Sequence, residues 1–181
     1  MAYRESLPGL SFSRPVITLP DESNVKPASA YDQALRLLEF RARTVDELRR
    51  KLLQKGLPSA DVEEVLTRLR DQKLLDDADF ARNFARGKVL RAGTSRRRIV
   101  QELTRKGIAR AQAEEAVEGL QESEGIDPSA SIHRVAEKKW TSLAKLDDFT
   151  RKRRLYAFLA RRGFDPDEIR TAMERVLAAP R

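Results

Sequence analysis

The feature that most constrains the fold is a sequence pattern that occurs three times, about fifty residues apart. Each copy is centred on a glycine that follows a lysine or an arginine, and these glycines are Gly56, Gly107 and Gly163. Apolar residues stand eight and four positions before each glycine, one position after it and ten positions after it: Leu48, Leu52, Leu57 and Leu66; Ile99, Leu103, Ile108 and Val117; Leu155, Leu159, Phe164 and Met173. Residues four apart share one face of an α-helix, so the pattern predicts two helices in each copy, packed through these positions.

The first copy has the clearest helix boundaries. Thr44 and Glu47 have the spacing of a capping box, in which each side chain accepts from the other residue's backbone N–H. Lys55 and Gly56 have the properties of a helix end, because a cation favours the negative end of the dipole and glycine adopts the left-handed conformation. Ser95 takes the place of Thr44 in the second copy. Arg151 takes it in the third, which leaves the start of that helix open.

A further helical stretch precedes each matched pair, at residues 31–40, 79–90 and 129–140. The sequence therefore predicts an all-α protein of three tandem three-helix repeats, with a proline-containing flexible arm at residues 1–29 and repeats at residues 30–75, 76–124 and 125–181. A three-helix unit of this size buries little apolar surface alone. We expect neighbouring units to share helix packing and to form an elongated, curved array.

Charge is distributed unevenly within each repeat, although the chain as a whole has a formal net charge of +8. The second helix is basic, and the third opens with acidic residues at 61–64, 114–115 and 165–168. Those acids argue against a helix-turn-helix DNA reader, because a recognition helix enters a groove lined by phosphates. A solvated face, with pairs such as Glu47 and Lys51, explains part of the basic pattern. The candidate contacts with a filament or with phosphates are Arg49, Arg50, Arg96, Arg97, Arg98, Arg105, Lys106, Arg151, Lys152, Arg153 and Arg154.

The residue inventory argues against most enzymes. The chain has no cysteine and a single histidine, His133, so thiol chemistry, cysteine-bound zinc and multi-histidine metal sites are excluded. Phosphate-binding loops, dinucleotide fingerprints and nucleophile elbows are also missing. We expect no catalysis and no cofactor, with His133 a packed or surface residue. At their helical spacing Trp140, Tyr156 and Phe158 are expected in the core, although stacking on bases remains an alternative.

Localisation follows from the absence of long apolar runs. No stretch approaches the roughly 18 to 20 residues that a membrane span requires. The opening segment MAYRESLPGL lacks the apolar centre of a signal peptide. We expect a cytoplasmic protein that does not enter membranes and is a monomer.

Three segments resemble the RecX family of regulatory proteins: LLEFRARTVDELRRKLLQKG, LLDDADFARNFARGKV and SRRRIVQELTRKGI. The resemblance covers roughly residues 30–178, and the chain departs from shorter family members in its long N-terminal arm. It implies a non-enzymatic regulator that binds the RecA filament on single-stranded DNA, lies in its helical groove and restrains recombinase and coprotease activity. DNA repair and the SOS response would thereby be modulated. The alternative is a helical protein that binds nucleic acid without sequence specificity, and a weak direct DNA contact beside the filament also stays open.

Overall fold

Helices account for the regular structure of the computed structural model, which describes residues 29–127 and 130–178. The helices are α1 Ala30–Phe40, α2 Val45–Gln54, α3 Ser59–Asp71, α4 Asp77–Gly87, α5 Arg96–Arg105, α6 Arg110–Glu124, α7 Ser131–Ser142, α8 Asp148–Arg161 and α9 Pro166–Ala178. A π-helical turn, Lys88–Ala92, extends α4. No strand occurs within these two ranges, which confirms the all-α prediction. The predicted arm lies outside the described residues except for Ser29, which caps α1.

The helices form three modules of three: α1–α3, α4–α6 and α7–α9. Each module has its own cluster of buried apolar side chains, and every pair of helices in extensive contact lies within one module. The six repeat positions on the second helices are fully buried: Leu48, Leu52, Ile99, Leu103, Leu155 and Leu159. Their shared face is therefore confirmed. The expectation that neighbouring units share helix packing is wrong, because three helices that pack on one another already close each core.

The repeated glycines end the second helices as predicted. Gly56, Gly107 and Gly163 have φ angles of 82°, 90° and 88°. At the second of these turns Ile108 N–H donates to Leu103 O and Gly107 N–H to Thr104 O, which is the hydrogen-bond pattern of a Schellman motif. The apolar residue after each glycine is thus carried back toward the core of its own module.

The capping box predicted at α2 is only half formed. Thr44 Oγ1 accepts a hydrogen bond from Glu47 N–H at 3.1 Å. The Glu47 carboxylate does not return to the Thr44 backbone, because it lies 2.9 Å from Arg41 Nη1 and 2.7 Å from Lys106 Nζ. Two cations outcompete one neutral N–H group. The predicted pairing of Glu47 with Lys51 is also wrong, since Lys51 donates to Gln54.

The third module starts its second helix differently. Asp147 caps α8 by accepting from Thr150 N–H at 2.9 Å, so this helix begins one turn before the position that Thr44 and Ser95 occupy in the other modules. Arg151 is therefore inside the helix. Its guanidinium lies over the Trp140 ring at 3.5 Å from the centroid and donates two hydrogen bonds to Trp140 O.

The modules are joined twice by the same arrangement, in which a glycine turn lies against the start of the preceding module's second helix. Thr44 Oγ1 donates to Lys106 O at 2.5 Å, and Ser95 N–H donates to Arg162 O at 3.1 Å. A Cβ on Gly107 would lie 2.3 Å from Asp46 Cβ, and a Cβ on Gly163 would lie 2.7 Å from Arg98 Cβ. Apart from its chain neighbours, no atom lies within 4 Å of the same point at Gly56, which belongs to the first of the three modules that the structure describes.

The basic residue before each joint glycine also takes part. Lys106 pairs with Glu47 and lies 5.7 Å from the Phe80 ring centroid. Arg162 donates from Nε to Ala92 O at 2.8 Å and lies 3.7 Å from the centroid of the Phe158 ring. Both cations therefore connect an aromatic ring of their own module to the preceding module.

The Glu47 ion pairs predict a pH-dependent contribution to stability. Burial raises the pKa of Glu47, but the hydrogen bonds and charges of Arg41 and Lys106 outweigh it and hold the pKa below its ordinary value. A carboxylate with a lowered folded pKa stabilises the protein above its unfolded pKa, and that stabilisation is lost as the pH falls through the folded pKa. We expect Glu47→Gln to lower the free energy of unfolding by about 1 to 2 kcal/mol near neutral pH.

The measurement is urea unfolding of wild type and Glu47→Gln at pH 7 and at about pH 3, below the ordinary carboxyl range. The difference between the two proteins should shrink at the lower pH. Asp77 contributes a pH dependence of the opposite sign, because burial raises its pKa. Asp77 is present in both proteins, so its contribution cancels when their free energies of unfolding are subtracted. Glu64→Gln, at an exposed position, is the matched control and should be close to neutral at both pH values. A pH-independent difference would contradict the ion-pair account.

Candidate interaction surfaces

The basic candidates of module 1 are neutralised by neighbouring acids. Arg49 Nε lies 2.6 Å from Glu63 Oε1, on the helix that follows. Arg50 Nη2 lies 2.9 Å from Asp46 Oδ2. The structure thus gives module 1 little uncompensated positive charge at the positions predicted from the sequence.

Module 2 has both paired and unpaired candidates. Arg98 pairs with Glu102, one turn along the same helix, and Arg96 pairs with Glu118 on α6. Helical spacing along the sequence does not reveal the second pair, because its two residues lie on different helices. Arg97 and Arg105 are exposed, and neither makes an ion pair with any residue in the described ranges. Lys106 belongs to the joint with module 1.

Arg97 and Arg105 line a groove of about 680 Å³ between α5 and α6. Val100, which is 9% exposed, is the buried apolar residue of its floor, and the exposed Thr104 lines the groove beside it. The rim has charges of both signs, because Arg110 Nε lies 2.8 Å from Glu114 Oε1 at its edge. We call this site the α5/α6 groove. Its apolar floor and mixed rim suit a protein surface with complementary charges.

Module 3 carries the largest uncompensated positive charge among the predicted positions. Lys152, Arg153 and Arg154 are exposed, and none forms an ion pair with a residue that the structure describes. Arg151 differs from these three, since it is engaged with Trp140 inside the module. Uncompensated charge at the candidate positions therefore increases from module 1 to module 3.

Two aromatic residues on α8 are exposed, and one of them, Phe149, was not among the candidates named from the sequence. Phe149 is 77% exposed and Tyr156 is 45% exposed, so the prediction of a core position for Tyr156 is wrong. Trp140 and Phe158 do pack against the core of module 3, as predicted. The available signal was their angular position. Seven residues turn an α-helix almost two full times, so Phe149 and Tyr156 point in nearly the same direction, about 60° to 120° away from Leu155 and Leu159.

The described residues offer little for metal or membrane chemistry. No group of three or more His, Cys, Asp or Glu in residues 29–127 and 130–178 is placed to hold a metal ion. No helix in those ranges is both long and apolar enough to cross a bilayer. His133 is half-buried on α7, as expected of a packed residue, with Nδ1 shielded from solvent and without a hydrogen-bond partner among the described atoms.

Comparison with known proteins matches each module to one domain type. Models of the first, second and third three-helix domains of RecX match residues 30–69, 76–117 and 127–173, respectively. The chain belongs to the RecX family. The three RecX domain types thus occur in the same order as modules 1 to 3, which confirms the resemblance found in the sequence.

Curated RecX relatives extend the match over most of the chain. Regulatory protein RecX of Pelodictyon phaeoclathratiforme is 40% identical over 147 residues, which are 81% of this chain and 88% of the relative. Regulatory protein RecX of a Mycobacterium species (strain KMS) is 36% identical over 150 residues, 80% of each chain. The crystal structure of RecX from Lactobacillus salivarius has a TM-score of 0.66 at 22% identity, and the match covers 83% of this chain and 96% of that one. This last likeness shows that the RecX fold is shared.

Proposed function

We propose that this RecX-family protein is a non-enzymatic cytoplasmic regulator that binds RecA filaments on single-stranded DNA and restrains their recombinase and coprotease activities. The α5/α6 groove carries the proposal, because it combines an apolar floor with charges of both signs in the middle module of the array. The family name supports a regulatory role. The proposed monomer would contact the filament through this groove.

A protein partner fits the α5/α6 groove better than a phosphate backbone does. Glu114 pairs with Arg110 at the rim and Glu118 pairs with Arg96 close by, so two of the arginines are already neutralised and would hold phosphates only weakly. Complementary charges of both signs instead fix the register between two protein surfaces. The groove therefore favours recognition of the filament protein over recognition of DNA alone.

The module arrangement supports a polymeric target. Three modules with separate cores follow one another and are joined in the same way twice. An array of this kind presents similar faces at repeated intervals, and successive subunits of a filament do the same. One chain can then contact several filament subunits, and each weak contact raises the effective concentration of the next.

The first test replaces the two unpaired cations of the groove. We expect Arg97→Ala/Arg105→Ala to fold normally and to weaken inhibition of RecA strand exchange by about tenfold or more, since loss of one or two central contacts changes binding by about 1 to 3 kcal/mol. Affinity for naked oligo(dT), measured by fluorescence anisotropy at the same salt concentration, should change much less.

Lys51→Ala/Lys55→Ala is the matched control, because it removes the same charge from exposed positions on module 1. Glu114→Lys provides a second test: it should weaken inhibition while strengthening binding to naked DNA. Unchanged inhibition in the Arg97/Arg105 variant would remove the groove from the filament contact. Inhibition that follows DNA affinity in every variant would favour the nucleic-acid-binding alternative.

A further inference from the structure

The outer face of α8 combines aromatic and basic side chains in a way that the core of module 3 does not explain. We use "α8 outer face" for Phe149, Arg153 and Tyr156 with the flanking Lys152 and Arg154. At 100° per residue, the first three lie within about 60° of one another around the helix axis, and Phe149 and Tyr156 are about 10 Å apart along it. Lys152 stands about 40° beyond Tyr156 on one side, and Arg154 about 100° beyond Arg153 on the other. The fully buried Leu155 and Leu159 lie about 60° to 120° from the two aromatic residues.

Exposure of this aromatic pair is not forced by packing. Single exposed apolar residues are common on protein surfaces and need no explanation. Here, however, Phe149 is 77% exposed and Tyr156 45% exposed on one face, with Arg153 between them. Phe158 on the same helix packs into the module, so α8 has room for a buried aromatic residue and still presents two others outward.

The charge of the face points to a polyanion. Residues 149–161 contain no Asp or Glu. Lys152, Arg153 and Arg154 are exposed and form no ion pair with a residue in the described part of the chain. The α5/α6 groove differs, because acids neutralise two of its four arginines. A partner for the α8 outer face therefore needs closely spaced negative charge together with planar groups that can lie against aromatic rings.

Single-stranded nucleic acid has both properties. Its phosphates pair with cations, and its unpaired bases stack on aromatic side chains without regard to sequence. In a duplex the bases are stacked on one another, so their faces are not available to Phe149 and Tyr156. We infer that the α8 outer face binds single-stranded nucleic acid, with bases stacked on Phe149 and Tyr156 and phosphates held by Lys152, Arg153 and Arg154.

This site goes beyond the proposed filament contact and does not depend on it. The α5/α6 groove belongs to module 2 and the α8 outer face to module 3, so their variants can be separated. Binding to nucleic acid can also be measured in the absence of RecA, and its failure would leave the groove proposal standing.

The experiment measures fluorescence anisotropy of labelled oligo(dT), an abasic oligonucleotide of equal length and a duplex, with the full chain and no RecA. Wild type should bind oligo(dT) more tightly than the abasic strand. Phe149→Ala and Tyr156→Ala should each weaken oligo(dT) binding by about 5- to 150-fold and leave abasic binding nearly unchanged. Lys152→Ala/Arg154→Ala should weaken binding to both strands and lower the salt slope by about 0.7 for each lost contact.

Phe40→Ala is the matched control, because Phe40 is 84% exposed at the end of α1 in module 1. It should bind all three probes as wild type does. Wild-type affinity of the Phe149→Ala/Tyr156→Ala double variant for oligo(dT) would overturn the inference. So would weakened filament inhibition at unchanged oligo(dT) affinity, because that result would assign the α8 outer face to a protein contact.

Discussion

Alanine at Leu52 or at Leu103 should lower the free energy of unfolding by about 2 to 5 kcal/mol. Both side chains are fully buried, Leu52 in the core of module 1 and Leu103 in that of module 2. Truncation removes apolar contacts and leaves a cavity that three short helices can close only in part. For a protein of this size such a change is a large share of the total stability.

Urea unfolding followed by circular dichroism measures both effects. Leu53→Ala is the matched control, since Leu53 precedes the end of the same helix but is 41% exposed and should lose far less stability. Because the two cores are separate, the effects of Leu52→Ala and Leu103→Ala should add in the double variant. Wild-type stability in either single variant would contradict the assignment of these repeat positions to the cores.

The second large effect is expected at the joint between modules 1 and 2. Gly107→Ala lowers the free energy of unfolding in two ways. Alanine must adopt the left-handed backbone conformation of Gly107, which its side chain disfavours, and its Cβ would lie 2.3 Å from Asp46 Cβ. The first penalty is about 1 to 2 kcal/mol. The second requires the turn to move away from α2, which threatens the Thr44–Lys106 hydrogen bond and adds about 1 to 3 kcal/mol.

Gly56→Ala separates these two penalties. Its φ of 82° is nearly the same, but no atom lies within 4 Å of the added Cβ. The extra destabilisation of Gly107→Ala over Gly56→Ala in urea unfolding therefore measures the close approach at the joint. Gly163→Ala, where the added Cβ would lie 2.7 Å from Arg98 Cβ, should resemble Gly107→Ala. Equal losses at all three glycines would show that the joints tolerate the added methyl group.

The fold inside each module was largely predictable, because its determinants are local. Apolar spacing placed Leu48 and Leu52 on one face, and Gly56 fixed the end of the helix. Helix starts were less predictable where the aligned position holds no capping residue, as at Arg151. At α8, Asp147 caps the helix one turn before the position aligned with Thr44, and the alignment alone gave no reason to prefer it.

The joints were not predictable, because they bring together residues far apart in the chain. Lys106 was interpreted as a surface contact from its place on a basic helix, yet it pairs with Glu47 fifty-nine positions earlier. Distance along the chain also explains why some arginines predicted as free surface contacts are paired in the structure. Sequence spacing identifies partners three or four residues away, such as Glu102 for Arg98, but not Glu118 for Arg96, which comes from the next helix.

The joint arrangement also determines where the array can gain a module by gene duplication. A second copy of module 2, inserted directly after the first, would supply both sides of a joint. Its glycine turn would lie against Ser95 of the first copy, and its own Ser95 would lie against the turn at Gly163. A module added after α9 would have to place its glycine turn against the start of α8. There Arg151 lies inside the helix, at the position where the earlier modules have the capping residues Thr44 and Ser95. A module added in that place would therefore need a joint different from the two that the structure shows.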